Sequence, residues 1–541
     1  MTTDQQADAP VPTPTPEGEP EVGRTQEGMP RRAVLQAMSG LLVGMLAGML
    51  TGTILSTSLP LIISELGGDQ SAFTWVVTAT MLAMTVSTPI WGKLADLVDR
   101  KLLFQLALGL FAVGTILAGT AWSTPSLIGF RAVQGLASGG IMALVQVLMA
   151  DVISPRERGR YMGLMAAVMG LGTAGGPLIG GFVTDSIGWR WNFYIILPLA
   201  VVSFFLVQFT LHLPHHPRRK VKIDYLGAAL IAGGVSLLLI WVTFGGHQFE
   251  WNSVPAWLTL GSAVLLLVLA VITELNVAEP IIPLSLFKNR SFTFATLAGL
   301  SVGVGMFGTA IFVSQYIQLA RGMSPSEAGL YTLPQVVATL VASTIVGNVI
   351  TRTGKWKHWL VIGAVLFTIG LAGMATVRYD TPIPYLFLWM VFMGSGIGML
   401  MQNLILAIQN TVSISQIGAA SATANFFRTL GGAVGVTALG AVLTSRVSTE
   451  IEAGLTKLGI DVGQAGLSGG ALPVLDDLPE PVRQVIEQAY GLGLGEIFLL
   501  AVPLGLLTIV FTALLPNVAL GGKSGIELRA EHAAKTEGAG G

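Results

Sequence analysis

Fourteen long apolar segments alternate with short polar stretches along most of the chain. A bilayer core of about 30 Å is crossed by roughly 20 helical residues. The pattern therefore predicts an all-α integral membrane protein with 14 transmembrane helices. The predicted segments are 37–62, 73–92, 102–121, 125–150, 160–183, 191–212, 225–245, 255–273, 292–316, 327–350, 358–377, 384–409, 418–444 and 493–515.

Lysine and arginine are concentrated in every second loop. Short cytoplasmic loops hold the excess of positive charge in membrane proteins. With the amino terminus inside, 21 of the 29 Lys and Arg residues fall on the cytoplasmic side, six fall on the other side, and two, Arg131 and Arg428, lie within predicted helices. We therefore expect a multi-pass protein of the cell inner (plasma) membrane with both termini in the cytoplasm.

The composition agrees with a chain surrounded mainly by lipid. Hydrophobic residues make up 52% of the chain, charged residues make up 11%, and the mean hydropathy is +0.71. The net charge of −1 gives no indication of a partner. The absence of cysteine from the sequence excludes disulfides and thiolate chemistry, and the six His residues form no ligand cluster. We expect no metal, no cofactor and no nucleic-acid partner.

The sequence offers no support for catalysis. It shows no paired acids, no intramembrane His and no arrangement of nucleophile and base, which a membrane enzyme would need. It also has no nucleotide-binding motif, so direct drive by ATP is not expected.

Three polar stretches lie outside the apolar segments. Residues 1–36 begin with a run rich in Pro, Thr, Glu and Gln, a composition that cannot bury enough apolar surface to fold, and they predict a disordered cytoplasmic leader. Residues 516–541 predict a cytoplasmic tail. Residues 446–491 predict an acidic extracytoplasmic loop, which is either a solvated cap or a lid that captures substrate.

Two arginines stand out because a charge inside the membrane is costly without a partner or a water-filled cavity. Arg131 lies in the stretch Arg131-Ala-Val-Gln134-Gly135, and its guanidinium has either a functional role or the role of a buried tether. Arg428 lies nearer the cytoplasmic half of its helix. Extension of its side chain to the membrane interface is an equal alternative there.

Three motifs in the first half of the chain resemble those of a known family. The loop Gly92-Lys-Leu-Ala-Asp96-Leu-Val-Asp-Arg100-Lys101 resembles the signature loop of the major facilitator superfamily, and the Arg131 segment resembles its helix-four motif. The run Gly172-Thr-Ala-Gly-Gly176-Pro177-Leu-Ile-Gly180-Gly181 is similar to the motif of its antiporters. Fourteen helices narrow the resemblance to the drug:proton antiporter group, the multidrug efflux type.

The resemblance implies two six-helix halves, with the substrate bound between them at the midplane. The halves are expected at 37–212 and 292–515, and a central linker with two transmembrane helices at 213–291. The resemblance also implies an inner gate at Gly92, Asp96, Arg100 and Lys101, with Gly92 in a tight turn. In the antiporter helix, Gly172, Gly176, Pro177, Gly180 and Gly181 are expected to control flexing.

One position departs from the antiporter pattern. Thr51 stands where this group commonly has a membrane-embedded Asp, and a hydroxyl cannot shed and regain protons at physiological pH. No Asp or Glu lies deep in a predicted segment. The coupling or anion site is therefore assigned to Arg131, with Asp151 or Glu496 as the titrating group.

The remaining polar residues predict a substrate cavity poor in carboxylates. Such a cavity does not concentrate cations, so neutral, amphipathic or anionic compounds are expected. The alternative at each position is an amide that joins two helices. The cavity residues are Thr51, Gln134, Gln315, Gln402, Asn403, Asn425 and Arg428.

Taken together, these features predict a secondary transporter that exports amphipathic small molecules by alternating access, driven by proton antiport. The alternative is an exporter of a lipid or an endogenous metabolite with weak or no proton coupling. The sequence gives no prediction of oligomeric state.

Overall fold

The computed structural model describes residues 31–95, 98–152, 155–211, 224–245, 249–277, 280–412, 416–460 and 478–518. Within these ranges the chain is almost entirely helical. The predicted leader up to residue 30 and most of the predicted tail lie outside them, as do residues 461–477.

The helices fall into two halves and a central pair. The N-terminal half comprises α1 (Arg31–Glu65), α2 (Gln70–Leu94), α3 (Arg100–Gly119), α4 (Thr124–Val152), α5 (Pro155–Ile187), α6 (Trp191–Tyr194) and α7 (Leu197–Thr210). The central pair is α8 (Tyr225–Phe244) and α9 (Val254–Asn276). The C-terminal half comprises α10 (Arg290–Gln315) with a π-helical turn (Tyr316–Ala320), α11 (Pro325–Tyr331), α12 (Leu333–Thr353), α13 (Lys357–Ala375), α14 (Ile383–Gln409), α15 (Ile417–Lys457) and α16 (Glu480–Leu514).

Thirteen helical stretches in the described part of the chain are long and apolar enough to cross a membrane, and they coincide with 13 of the predicted segments. The remaining segment, 160–183, lies within α5, a helix of 33 residues and about 50 Å. The sixth crossing is divided into α6 and α7, and the tenth into α11 and α12. The predicted all-α membrane fold is confirmed.

The ends of three helices differ from the prediction. Helix α1 begins at Arg31, inside the expected leader. Helix α15 continues to Lys457 and α16 begins at Glu480, so both ends of the predicted loop 446–491 are helical. The reason is an apolar stripe beneath the acidic residues. Leu455 is fully buried and belongs to the same apolar cluster as Val482 and Ile486 of α16.

The two ends of the bundle can be named from the chain itself. The basic face is the end where α2 gives way to α3 and α12 to α13, around Arg100 and Lys355. The opposite face is the end where α1 and α5 finish, around Glu65 and Ile187. These two names are used below.

Candidate functional site: the interface between the two helical halves

At the opposite face, helix α5 of the N-terminal half lies directly against α11 of the C-terminal half. A Cβ atom on Gly181 would lie 2.5 Å from the carbonyl oxygen of Pro325, and one on Gly329 would lie 2.6 Å from the carbonyl carbon of Pro177. The contact therefore requires glycine on both helices. Beside it, the carboxylate of Asp185 accepts hydrogen bonds from the backbone N–H (3.2 Å) and the hydroxyl of Ser326.

A second group of contacts joins α1 and α2 to α10 and its π-helical turn. The Gln315 amide nitrogen donates to the amide oxygen of Gln70 at 2.7 Å, and the Gln318 amide nitrogen donates to the carbonyl of Thr57 at 2.8 Å. All of these side chains are uncharged. Contacts of this kind hold two surfaces together without the large desolvation cost of an ion pair.

Helices α2 and α15 meet along the same interface. The hydroxyls of Thr78 and Thr437 lie 2.8 Å apart, and both residues are fully buried. A Cβ on Gly440 would lie 2.6 Å from the hydroxyl oxygen of Thr74. The N-terminal and C-terminal halves are thus closely packed from the opposite face inwards.

The glycines of the predicted antiporter helix divide between two neighbours. Gly172, Gly176 and Gly180 face α1, where the Thr53 hydroxyl donates to the carbonyl of Gly172 at 2.8 Å. Pro177 and Gly181 face α11. Small residues on two sides allow α5 to contact its own half and the other half at once.

A buried polar network behind α5 was not found from the sequence. The Asn192 amide nitrogen donates to the hydroxyls of Ser58 (2.6 Å) and Thr184 (2.7 Å), and these two hydroxyls lie 2.6 Å from each other. The network joins α1, α5 and α6 into one unit. Ser58 is more than 120 residues from the other two members, so no local pattern could have indicated the network.

Polar contacts between the halves are longer towards the basic face. The Gln402 amide nitrogen lies 3.6 Å from the Met169 sulfur, and the Asn425 amide nitrogen lies 3.4 Å from the Gln146 amide oxygen. Both distances are long for hydrogen bonds, although sulfur accepts at greater range than oxygen.

Arg131 is buried in α4, about two turns from its start. Its guanidinium donates to the Gln134 amide oxygen, and the Gln134 amide nitrogen donates to the Thr115 hydroxyl at 2.8 Å. The Nε of Arg131 has no partner, and neither ion pair found between described residues includes it. The charge of Arg131 is therefore solvated only by neutral groups. The hydrogen bonds from Arg131 to Gln134 and from Gln134 to Thr115 connect α4 to α3.

Arg428 lies about three turns into α15, next to a narrow cleft. Its Nε is buried and has no partner. The cleft has a volume of only about 20 Å³ open to a water-sized molecule and is lined by α10, α14 and α15. The lining residues are Ala295, Gly299, Val302, Met401, Leu404, Ile405, Ile408, Ala424, Asn425 and Arg428. Because this cleft is inside the half, the structure gives no support to extension of Arg428 to the membrane interface.

Of the predicted cavity residues, Asn425 and Arg428 line this cleft, Gln134 and Gln315 join helices, and Thr51 and Asn403 bond within their own helices. Thr51 is buried and its hydroxyl donates to Ala47 in its own helix at 3.0 Å. Asn403 is buried and donates to Met399 in its own helix at 2.6 Å. Gln134 and Gln315 make the interhelical bonds described above, and half-buried Gln402 faces α5.

The predicted inner gate lies at the basic face. Gly92 is within α2 rather than in a turn, because the helix continues to Leu94. The Arg100 Nε donates to the carbonyl of Ala95 at 2.9 Å, and the Lys101 ammonium donates to the carbonyl of Gln208 at 2.6 Å. Asp96 lies outside the described residues.

The two proposed titrating groups occupy different settings. Glu496 forms an ion pair with Arg446 at 2.9 Å, and the two side chains are 43% and 58% exposed, so water screens the pair. The side chain of Asp151 lies outside the described part of the structure. The acidic residues buried within the described ranges are Asp224 and Glu274, at the ends of the central pair.

Comparison with known proteins identifies the family. A family model described as Major Facilitator Superfamily matches residues 41–436. The chain belongs to the major facilitator superfamily. Among curated relatives of this superfamily member, Multidrug transporter protein MdtP of Bacillus subtilis is 32% identical over 471 residues, covering 86% of this chain and 83% of that protein.

Two further relatives have printed names of the same type. Multidrug resistance protein 3 of Bacillus subtilis is 30% identical over 490 residues, covering 87% of this chain and 94% of that protein. Efflux pump dotC of Dothistroma septosporum is 31% identical over 481 residues, covering 88% and 83%. The chain is therefore a membrane transporter similar to multidrug efflux proteins, and it is not an enzyme.

Solved structures of the superfamily share the fold. A bacterial homologue of the human lysosomal transporter Spinster, in an inward-facing and unoccupied conformation, aligns with a TM-score of 0.61 at 14% identity, over 90% of this chain and 97% of that one. An auto-inhibited peptide transporter of the POT family aligns with a TM-score of 0.60 at 12% identity, over 90% and 98%. At these identities the likeness concerns the fold alone.

Proposed function

We propose that this protein exports amphipathic small molecules by alternating access between its two halves. The observation that supports this most is the difference between the two ends of the interface. At the opposite face the halves meet through paired glycines and hydrogen bonds such as those of 2.7 and 2.8 Å made by Gln315 and Gln318, whereas the polar contacts nearer the basic face are longer. This arrangement is that of a transporter closed at the opposite face.

The contacts at the closed face suit repeated opening. Breaking amide and hydroxyl bonds exposes groups that water can solvate, so each bond contributes only about 0.5–1.5 kcal/mol to the closed state. Six helices share the contact, namely α1, α2 and α5 of one half and α10, α11 and α15 of the other. In the proposed cycle, α5 separates from α11 and α2 separates from α15 together.

The proposed substrates are amphipathic. The relatives whose names mention multidrug transport or efflux support this class of cargo. The cleft beside Arg428 adds a mixed surface, with Met401 and Leu404 next to the Asn425 amide. A surface of this kind binds compounds that combine an apolar body with a polar group.

The proposed energy source is the proton gradient. The proposed location is the inner membrane, with the basic face of the protein towards the cytoplasm. The distribution of Lys and Arg supports the orientation. The alternative, export of a lipid or metabolite with weak or no coupling, is favoured by one observation. Within the described ranges, the buried acids Asp224 and Glu274 lie in the central pair and not within either half.

Reconstitution tests both parts of the proposal. The protein in liposomes is given cationic, neutral and anionic fluorescent probes with an imposed pH gradient, which a protonophore then collapses. We expect probe movement above that of protein-free liposomes, and its loss on collapse. Movement that continues after collapse would refute proton antiport and favour the alternative, and no movement of any probe would refute export.

A further inference from the structure

The cleft beside Arg428 has a charge that nothing in the described part of the protein matches. The Nε of Arg428 is fully buried without a partner, and the ion pairs found between described residues are Arg446 with Glu496 and Arg483 with Glu487. A guanidinium is always charged and has five donors. Such a group inside a membrane protein requires water or an anion.

The backbone holds this side chain in place. Gly303 of α10 lies against the Arg428 carbonyl, and a Cβ on Gly431 would lie 2.9 Å from the carbonyl carbon of Leu300 in α10. The two helices therefore touch backbone to backbone on either side of Arg428. This contact fixes the position of the Arg428 backbone, about three turns from the start of α15.

A second polar group faces the same cleft with unused capacity. The Asn425 amide nitrogen makes only the 3.4 Å contact with Gln146 and can donate a second hydrogen bond, whereas its buried amide oxygen is an acceptor that cannot bind an anion. Buried polar groups are nearly always hydrogen-bonded, so the unused donors of Arg428 and Asn425 in one cleft suit an acceptor group. The other walls are apolar, with Ala295 and Gly299 on one side and Met401 and Leu404 on another.

We propose that Arg428 and Asn425 form a binding site for a single anionic group within the C-terminal half. The site accepts either the acid group of an amphipathic organic anion or an inorganic chloride ion. In the first case only the acid group of the ligand enters the narrow cleft, and the site selects acidic substrates among those exported. That selection rests on the proposed export function, whereas binding of the anion does not.

Two probes with the same ring system test the site. They are 8-anilinonaphthalene-1-sulfonate, an anion, and N-phenyl-1-naphthylamine, which lacks the sulfonate. Their affinities are measured by fluorescence with the full-length protein in zwitterionic nanodiscs, and empty nanodiscs give the background. The variants are Arg428→Gln, which removes the charge, and Arg428→Lys, which keeps it. The control is Arg352→Gln, an exposed arginine at the basic face.

The ratio of the two affinities is the result that matters. Since a hydrogen bond to a charged group strengthens binding by about tenfold or more, we expect the wild type and Arg352→Gln to prefer the sulfonate by about that factor. We expect Arg428→Gln to lose the preference without changing its affinity for the neutral probe, and Arg428→Lys to keep part of it. An unchanged preference in Arg428→Gln would overturn the proposal.

Two additions separate the remaining possibilities. In the first addition, chloride replaces gluconate in the buffer at constant ionic strength. If chloride enters the site, this change weakens binding of the sulfonate probe to the wild type but not to Arg428→Gln. If chloride has no effect, the site takes organic acid groups alone. Flux of the neutral probe in proteoliposomes tests export separately. If the neutral probe is transported but the preference for the sulfonate does not depend on Arg428, the site is refuted and export stands. If the preference depends on Arg428 but no probe is transported, export is refuted and the site stands.

Discussion

At the scale of single residues, the buried charge of Arg131 is solvated by neutral groups. Arg131 is the clearest case, because Gln134 accepts from its guanidinium and in turn donates to Thr115. The sequence indicated that Arg131 needed a partner but could not indicate which one. Gln134 was expected in a substrate cavity, and it is instead the link between α3 and α4.

Replacing Gln134 by Leu should therefore destabilise the protein. The substitution removes a hydrogen bond to a charged group, worth about 1.5–3 kcal/mol. Thermal unfolding of the purified protein in detergent measures the loss. Thr115→Val is the matched control, since it removes only the neutral bond, worth about 0.5–1.5 kcal/mol. Equal melting temperatures for the two variants would contradict this account of Arg131.

At the scale of helices, the lengths of α15 and α16 were the main feature hidden in the sequence. Acidic residues such as Glu450 and Glu452 gave residues 446–491 the composition of a loop. The apolar positions Val447, Ile451 and Leu455 recur every four residues and pack towards α16. These three apolar residues, separated by polar ones, were too few to predict a helix from the sequence. The membrane-spanning helices were predicted because their apolar segments are much longer.

Leu455→Ala should loosen this extension of α15. Truncating a buried leucine costs about 2–5 kcal/mol, and the end of a helix can respond by local unfolding. We expect faster cleavage within 446–460 by a protease added to the opposite face. Thr456→Ala, at an exposed neighbouring position, should be cleaved like the wild type. Rapid cleavage of the wild type in this segment would show that the extension is not stably packed.

The contact between α5 and α11 makes a prediction about conformation. A leucine at Gly329 cannot fit against the Pro177 carbonyl, and overpacking of this kind costs about 1–3 kcal/mol. A change of that size shifts the ratio of closed to open states by about 5- to 150-fold. Because the native sequence lacks cysteine, spin labels at Trp122→Cys and Leu458→Cys can report the distance across the opposite face.

The distance between the labels should lengthen in Gly329→Leu. Gly261→Leu is the control, since a Cβ at that exposed position in α9 meets nothing within 4 Å. A distance distribution identical in the two variants would mean that the paired glycines do not determine closure of this face.

At the scale of the whole molecule, periodic apolar segments predicted the fold, and distance along the chain concealed the interface. Each transmembrane helix leaves its own local signal, so 13 of the 14 predicted segments coincide with candidate spans in the described ranges. The interface is made of pairs such as Gln70 with Gln315 and Thr78 with Thr437, which are more than 200 residues apart. No single segment contains the information that pairs them.

The same comparison explains the outcome for the predicted site. Residue type drew attention to Arg131 and Arg428, because charge inside a membrane is rare, and the structure buries Arg131 and the Nε of Arg428. Amides are ambiguous, since they line cavities and join helices equally well. Only their positions in three dimensions separate Asn425, which lines the cleft, from Gln315, which joins the two halves.

The central claim is that the halves must part at the opposite face during transport, and a reversible cross-link tests it most directly. Gln70→Cys and Gln315→Cys place thiols on the two sides of the contact, where a short bifunctional thiol reagent can bridge them. Flux of a fluorescent probe is measured in proteoliposomes before cross-linking, after cross-linking and after reduction, with each single-cysteine variant as a control. We predict that cross-linking stops flux in the double variant alone and that reduction restores it. Flux at the same rate in the cross-linked protein would contradict transport by alternating access.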